Sequence, residues 1–132
     1  MLRRGLPVVK VSDREFDSIV QRAIGRIPEE IRHYLDNLVI SVQKRPSRET
    51  IEEMGFEDGA GLLGLFHGVP LTGRSVTSPP LFPDAILLFQ EPLQEMCRSI
   101  AELEEQIEIT LVHEVAHFVG MDEERLSELG YG

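Results

Sequence analysis

The sequence predicts an α+β domain, with helices at both ends around a small mixed sheet. Three observations carry that expectation. Near the start, Ser12, Asp13, Arg14 and Glu15 have capping-box spacing, and Phe16, Ile19, Val20, Ala23 and Ile24 follow at helical intervals. The middle holds short apolar runs of strand length at residues 38–43 and 85–89. From Pro92 onward the apolar spacing is helical again.

Each element follows from its own signals. One domain is expected over residues 1–132, in which residues 1–11, broken by Arg3, Arg4, Gly5, Pro7 and Lys10, form an N-terminal arm. Gly25 closes the first helix. Pro28 is suited to open a second, over residues 28 to about 36, with Glu29 and Glu30 at its positive end and Ile31 and Leu35 buried. The β-branched run 38–43 reads as a strand, ended by residues 46–49, which lead into an acidic stretch with Met54, Gly55 and Phe56. Residues 61–68 read as a second strand interrupted by glycines, which mark a bulge or the close approach of another backbone. Residues 69–83 are rich in Gly, Ser, Thr and Pro and read as a loop. The unbroken run 85–89 is expected to be buried on both faces. Pro92, Leu93, Met96 and Cys97 fit a short helix. A long helix from Ile100 to about Val119 carries Leu103, Ile107, Leu111 and Ala116 on its apolar face, and Gly120 stops it. A last short helix starts at Asp122 and ends by Gly130.

Composition excludes several function classes. Hydrophobic content of 42% and charged content of 27% are those of a globular chain. The net charge of −10 argues against nucleic acid as partner, since phosphate backbones are bound by clustered Lys and Arg. A single cysteine, Cys97, excludes an internal disulfide framework and a Cys-rich zinc knuckle. No apolar run approaches the ~20 residues of a membrane helix, and residues 5–9 are too short for a signal-peptide core. The expectation is a soluble, cytoplasmic, monomeric domain with no membrane partner.

One motif carries chemistry: His113, Glu114, Val115, Ala116 and His117 have the H-E-x-x-H pattern. Residues four apart on a helix share a face, so both imidazoles can meet one metal ion. Glu114, beside the first histidine, is placed to take a proton from metal-activated water and pass it to a leaving amine. Zinc lowers the pKa of such water to about 7, which supplies a nucleophile at neutral pH. The flanks, Thr110 to Val112 and Val115 to Ala116, suit a buried active-site helix, and Gly120 falls where the chain must turn to bring back a third ligand.

These residues resemble the extended H-E-x-x-H-x-x-G-x-x-ligand signature of metzincin-type zincins. The run from Glu124 to Tyr131, together with residues 63–71 and 83–89, resembles more closely the small bacterial minimal-zincin (zincin-like metallopeptidase) family. The resemblance extends from about Asp13 and is most specific over residues 109–130. It implies a minimal zincin-like domain with a Zn2+ site, His113 and His117 as ligands, and peptidase activity. Two features depart from the metzincin pattern: Glu123 rather than histidine stands at the third-ligand position, and no Met-turn follows. A carboxylate is an acceptable zinc ligand. Glu123 is favoured by position, with Asp122 as the alternative.

Other residues have a catalytic and a plain reading. His67 would line the cleft or sit exposed in a loop; His33 reads as a surface residue; Tyr131 would support an oxyanion or simply pack its ring. Cys97 reads as a small buried hydrophobe. Glu102, Glu104, Glu105 and Glu108 read as a mostly solvated helix face. An edge strand can bind an extended peptide as a further strand. That role falls to residues 62–67, with Leu65 and His67 toward substrate, because the run 85–89 suits a central strand. The function expected is zinc-dependent hydrolysis of a peptide or protein substrate, with Glu114 as general base. The alternative is a zinc-binding, non-proteolytic interaction module on the same fold.

Overall fold

Helix α1 (Asp13–Arg26) opens with the expected capping box: Ser12 Oγ accepts from Glu15 N at 3.1 Å, and the Glu15 carboxylate accepts from Ser12 N at 3.3 Å. Two N–H groups with no partner inside the helix are thereby satisfied. The computed structural model describes residues 8–54, 62–68 and 84–132. Phe16, Ile19, Val20 and Ala23 form the buried stripe of α1. Helix α2 (Glu29–Leu35) takes Pro28 as its N-cap rather than its first residue, and buries Ile31 and Leu35.

Strands β1 (Val39–Gln43), β2 (Gly64–His67) and β3 (Ala85–Phe89) form a mixed sheet in the order β1-β3-β2. β1 runs parallel to β3, with Val39 opposite Ala85 and Gln43 opposite Phe89. β2 runs antiparallel to it, with Gly64 opposite Leu88 and His67 opposite Ala85. The apolar run 85–89 is thus the central strand, and β2 is an edge among the described residues. Burial on both faces of that run is not met. Ile86 and Leu88 are fully buried in the helical core, whereas Ala85 and Leu87 on the opposite face are half-buried.

Helix α3 (Arg48–Met54) stands where only the end of a strand and an acidic stretch were expected. Its start has a local cause, because Ser47 Oγ accepts from Thr50 N at 3.1 Å. Helix α4 (Gln90–Glu95) follows β3 without a loop, and Pro92 falls in its first turn, where a missing N–H costs no hydrogen bond. Met96 and Cys97, expected within this helix, lie just past its end; Met96 is exposed and Cys97 fully buried. Val9 N donates to the Cys97 carbonyl at 2.9 Å, and Val9 and Val11 pack on the core, so residues 8–11 of the expected arm lie against the domain. The basic residues 3 and 4 and the expected loop 69–83 lie outside the described residues.

Helix α5 (Ile100–Val119) runs through the core, burying Leu103, Ile107, Leu111, Val112, Val115 and Ala116. Ser99 caps its start by accepting from Glu102 N at 3.0 Å. At its end Met121 N reaches the Ala116 carbonyl at 2.9 Å while Gly120 sits at φ 73°, the left-handed stop that glycine adopts without strain. Helix α6 (Glu123–Glu128) follows at once, capped by Asp122. Gly130, at φ 96°, turns the chain back, and Tyr131 N donates to the Leu126 carbonyl at 2.9 Å.

On the acidic face of α5, Glu102 and Glu105 are exposed as expected, and Glu104 and Glu108 are not. Glu104 pairs with Arg22 at 2.9 Å and Arg26 at 3.2 Å, and Glu108 is buried with Arg26 Nε 2.9 Å away. The facing arginines come from α1, about 80 residues earlier, so nothing local announces them. No helix among the described residues is long and apolar enough to cross a membrane.

Candidate active site

Helical spacing on α5 puts His113 and His117 on one side, with Glu114 turned toward β2. His113 is half-buried and His117 exposed. His113 Nε2 lies 3.0 Å from the Tyr131 carbonyl oxygen. A carbonyl only accepts, so this contact needs the ring proton on Nε2. Tyr131 is held in turn at its other end, where its hydroxyl donates to Glu108 Oε2 at 2.5 Å. Arg26 Nε faces the other oxygen of Glu108 off the line of a hydrogen bond. Burial, then the bond to Glu108, pushes the Tyr131 phenol well above its ordinary pKa. Its hydroxyl is committed to Glu108, so the packed reading of Tyr131 accounts for it.

Glu114 Oε1 accepts a hydrogen bond from Phe66 N at 2.8 Å. Burial holds the Glu114 carboxyl above the usual carboxylate range, while the Phe66 N–H and then the two histidines oppose that rise. The sheet register explains why Phe66 can donate. Phe89 N donates to the Leu63 carbonyl at 2.9 Å. In an antiparallel pair, hydrogen-bonded positions alternate, so Leu63, Leu65 and His67 turn their backbone groups to β3, while Gly64 and Phe66 turn theirs to the other side, an edge among the described residues. Backbone groups facing outward therefore belong to Gly64 and Phe66 rather than to Leu65 and His67. Leu65 is half-buried, and His67 is exposed at the strand end.

Three residues of α5 at successive i, i+4 positions meet β2. Thr110 touches Gly64, Glu114 accepts from Phe66 N, and Phe118 packs its ring on Phe66 at 4.9 Å between centroids. The glycine is needed for this approach. A Cβ at position 64 would stand 2.6 Å from Thr110 Cγ2 and 3.1 Å from the Leu87 carbonyl oxygen. Gly64→Ala is expected to destabilise the protein by about 1–3 kcal/mol, as overpacking does. Adding Thr110→Ser, which removes the clashing methyl, should recover part of it. Urea melts of the single and double variants check this, and an unchanged Gly64→Ala midpoint would refute it.

Between α5 and β2 lies an open groove of about 300 Å³, lined by Leu62, Gly64, Gln106, Thr110, His113 and Glu114. A larger hollow of about 440 Å³, beside residues 8–11, Lys44 and α4, is remote from the histidines, and two of its three cations are paired: Lys44 with Asp13, Arg45 with Glu91 and Glu95.

Glu123 is exposed in the first turn of α6, three residues past the Gly120 turn. The Asp122 side chain accepts from Arg125 N at 2.9 Å, which commits it to capping. Among the described residues no three His, Cys, Asp or Glu side chains are gathered into a metal-holding group. The donor set itself fits zinc: two imidazoles one helical turn apart, that of His113 bonded through Nε2 to the Tyr131 carbonyl, and the exposed carboxylate of Glu123 just after the helix. Cys97 is no part of it. Burial pushes its thiol up to about 11, and it lies fully inside the core. His33 is exposed on α2, as expected.

Sequence reasoning missed the Phe66 amide, Glu108 and the Gly64–Thr110 contact. Only the glycine had a signal, its position inside a strand.

The model of the zincin-like metallopeptidase family matches residues 35–132, and the chain belongs to that family. The match runs from the end of α2 through the sheet to α5 and α6, and leaves α1 outside. The expected fold, an α+β zincin-like domain, is the one found. No curated protein matches the chain.

The raised carboxyl of Glu114 has a pH signature. A carboxyl with a higher pKa folded than unfolded costs stability above its folded pKa, and nothing below its unfolded one near 4.3. Metal-free Glu114→Gln should therefore melt above the metal-free wild type at pH 7, and the gap should close by about pH 4. Thermal melts across that range test it; a gap independent of pH would count against the burial argument.

Proposed function

We propose that this protein is a zinc-dependent peptidase that cleaves an extended peptide lying along β2. The observation that carries the reading is the H-E-x-x-H helix packed against an edge strand, with the Glu114 carboxylate beside that edge. His113 and His117 would hold the metal, with Glu123 as third ligand. Zinc, when bound, supplies a Lewis acid that polarises the scissile carbonyl and brings the pKa of water near 7. Glu114 takes a proton from the attacking water and delivers it to the leaving amine nitrogen. Burial favours its neutral form and so makes it a better proton acceptor than an exposed carboxylate. The outward groups of Gly64 and Phe66 pair with the peptide backbone, which gives affinity with little sequence preference. Leu65 and His67 flank that backbone and would meet substrate side chains.

Hydrolysis of casein or a peptide library by the zinc-loaded protein tests the reading. Stoichiometric zinc with no cleavage of any of them would replace it with the non-proteolytic binding module. Glu123→Ala should weaken zinc at least about tenfold, and Glu123→His should restore it, since imidazole suits zinc. Asp122→Ala should cost about 1 kcal/mol of stability through the lost cap and leave zinc affinity nearly unchanged. Chelator competition reads the affinities; loss of zinc on Asp122→Ala alone would move the ligand by one residue.

A further inference from the structure

The Phe66 amide has two claimants. It is one of the outward-facing donors of β2, and it is already bonded to Glu114 Oε1 at 2.8 Å. The contact is held on both sides: Thr110, four residues before Glu114, seats against Gly64, and Phe118, four residues after, stacks on the Phe66 ring. Helix and strand are thus locked in one register around this bond. The groove beside it, of about 300 Å³, is lined by Gly64 and by Glu114 itself.

We infer that Glu114 is parked on the edge-strand donor that a substrate strand needs, so that an extended peptide docks only by displacing the carboxylate from Phe66. This rests on the reading of β2 as the substrate edge and adds a consequence for regulation of the same site. Without peptide, Glu114 Oε1 is occupied by the Phe66 N–H. With peptide, a substrate carbonyl takes over that N–H, and the carboxylate is released beside the newly docked chain. The base becomes free only when there is something to cleave. A bond to a charged acceptor is stronger than one to a neutral carbonyl, so the exchange opposes docking. Removing the carboxylate should therefore tighten ground-state binding even as it abolishes turnover.

The test uses wild type, Glu114→Gln and Glu114→Ala, all metal-free so that the probe is not cleaved during titration, with an end-blocked, uncharged alanine–leucine hexapeptide as probe. Amide hydrogen exchange comes first, without peptide. Phe66 should be protected in the wild type and exchange about tenfold faster or more in Glu114→Ala. Peptide titration followed on the β2 amides should then give about tenfold tighter binding to Glu114→Ala than to wild type, a ratio that corresponds to a single hydrogen bond. Glu114→Gln should fall between them, since its neutral side-chain carbonyl still accepts; it also keeps the test open if the alanine variant is unstable. Unchanged Phe66 exchange in Glu114→Ala, or equal peptide affinity in all three proteins with the β2 amides shifting, would overturn the parking of Glu114. If peptide moves no β2 amide in any of them, the edge-docking reading fails first and the inference falls with it.

Discussion

Glu114→Gln is expected to lower peptide hydrolysis by a factor of about 100 or more while zinc remains stoichiometric. Glutamine keeps the size of the side chain and an oxygen able to accept from Phe66 N, so the α5–β2 contact at 2.8 Å has no reason to open. What is lost is proton transfer, because a neutral amide cannot take the proton from the attacking water. His113 and His117 are untouched, so metal content should not move. The loss should appear in kcat, with KM equal or lower, since the interaction removed is one made on the way to the transition state. Elemental analysis beside turnover of casein or a peptide library checks both halves. Turnover like that of the wild type would remove Glu114 from the chemistry; loss of metal would make it a ligand.

His113→Ala and His117→Ala are each expected to strip stoichiometric zinc while α5 stays helical. The helix does not depend on the metal. It is capped by Ser99, stopped by Gly120, and buried along Leu103, Ile107, Leu111 and Val115. Circular dichroism should therefore change little. The two variants should still differ in stability. His113 is half-buried and bonded to the Tyr131 carbonyl, so its loss leaves that oxygen without its partner, whereas His117 is exposed. His113→Ala should melt below His117→Ala when both are metal-free. Full zinc occupancy in both variants would rule out the site.

Much of the fold was legible because it is written in local patterns. The capping box at Ser12, the apolar spacing of Phe16 to Ala23 and the long pattern closed by Gly120 each specify a helix within a few residues of sequence. Relative hydrophobicity likewise placed residues 85–89 at the centre of the sheet and β2 at its edge. The expectation failed where the cause is not local. Leu87 looked as buried as Leu88, yet strand residues alternate between faces, and Leu87 lies on the face opposite the helical core, where it is half-buried. Glu108 looked solvated, and it lies inside because Arg26 and Tyr131 arrive from opposite ends of the chain.

The site divides along the same line. The spacing His113, Glu114, His117 by itself determined that two imidazoles and a carboxylate leave one helix together, since 3.6 residues per turn leaves no other arrangement. It also determined that the chain turns at Gly120, the residue that enters the left-handed region without steric cost. Tertiary structure decided what those groups meet. Gly64 lets α5 close on β2, strand register turns the Phe66 amide outward, and Glu114 is desolvated as a result. The α5–β2 and α1–α5 contacts join residues some 45 to 80 positions apart. Side-chain periodicity reports the direction a residue faces on its own element, and the partner in that direction is chosen only when the elements pack.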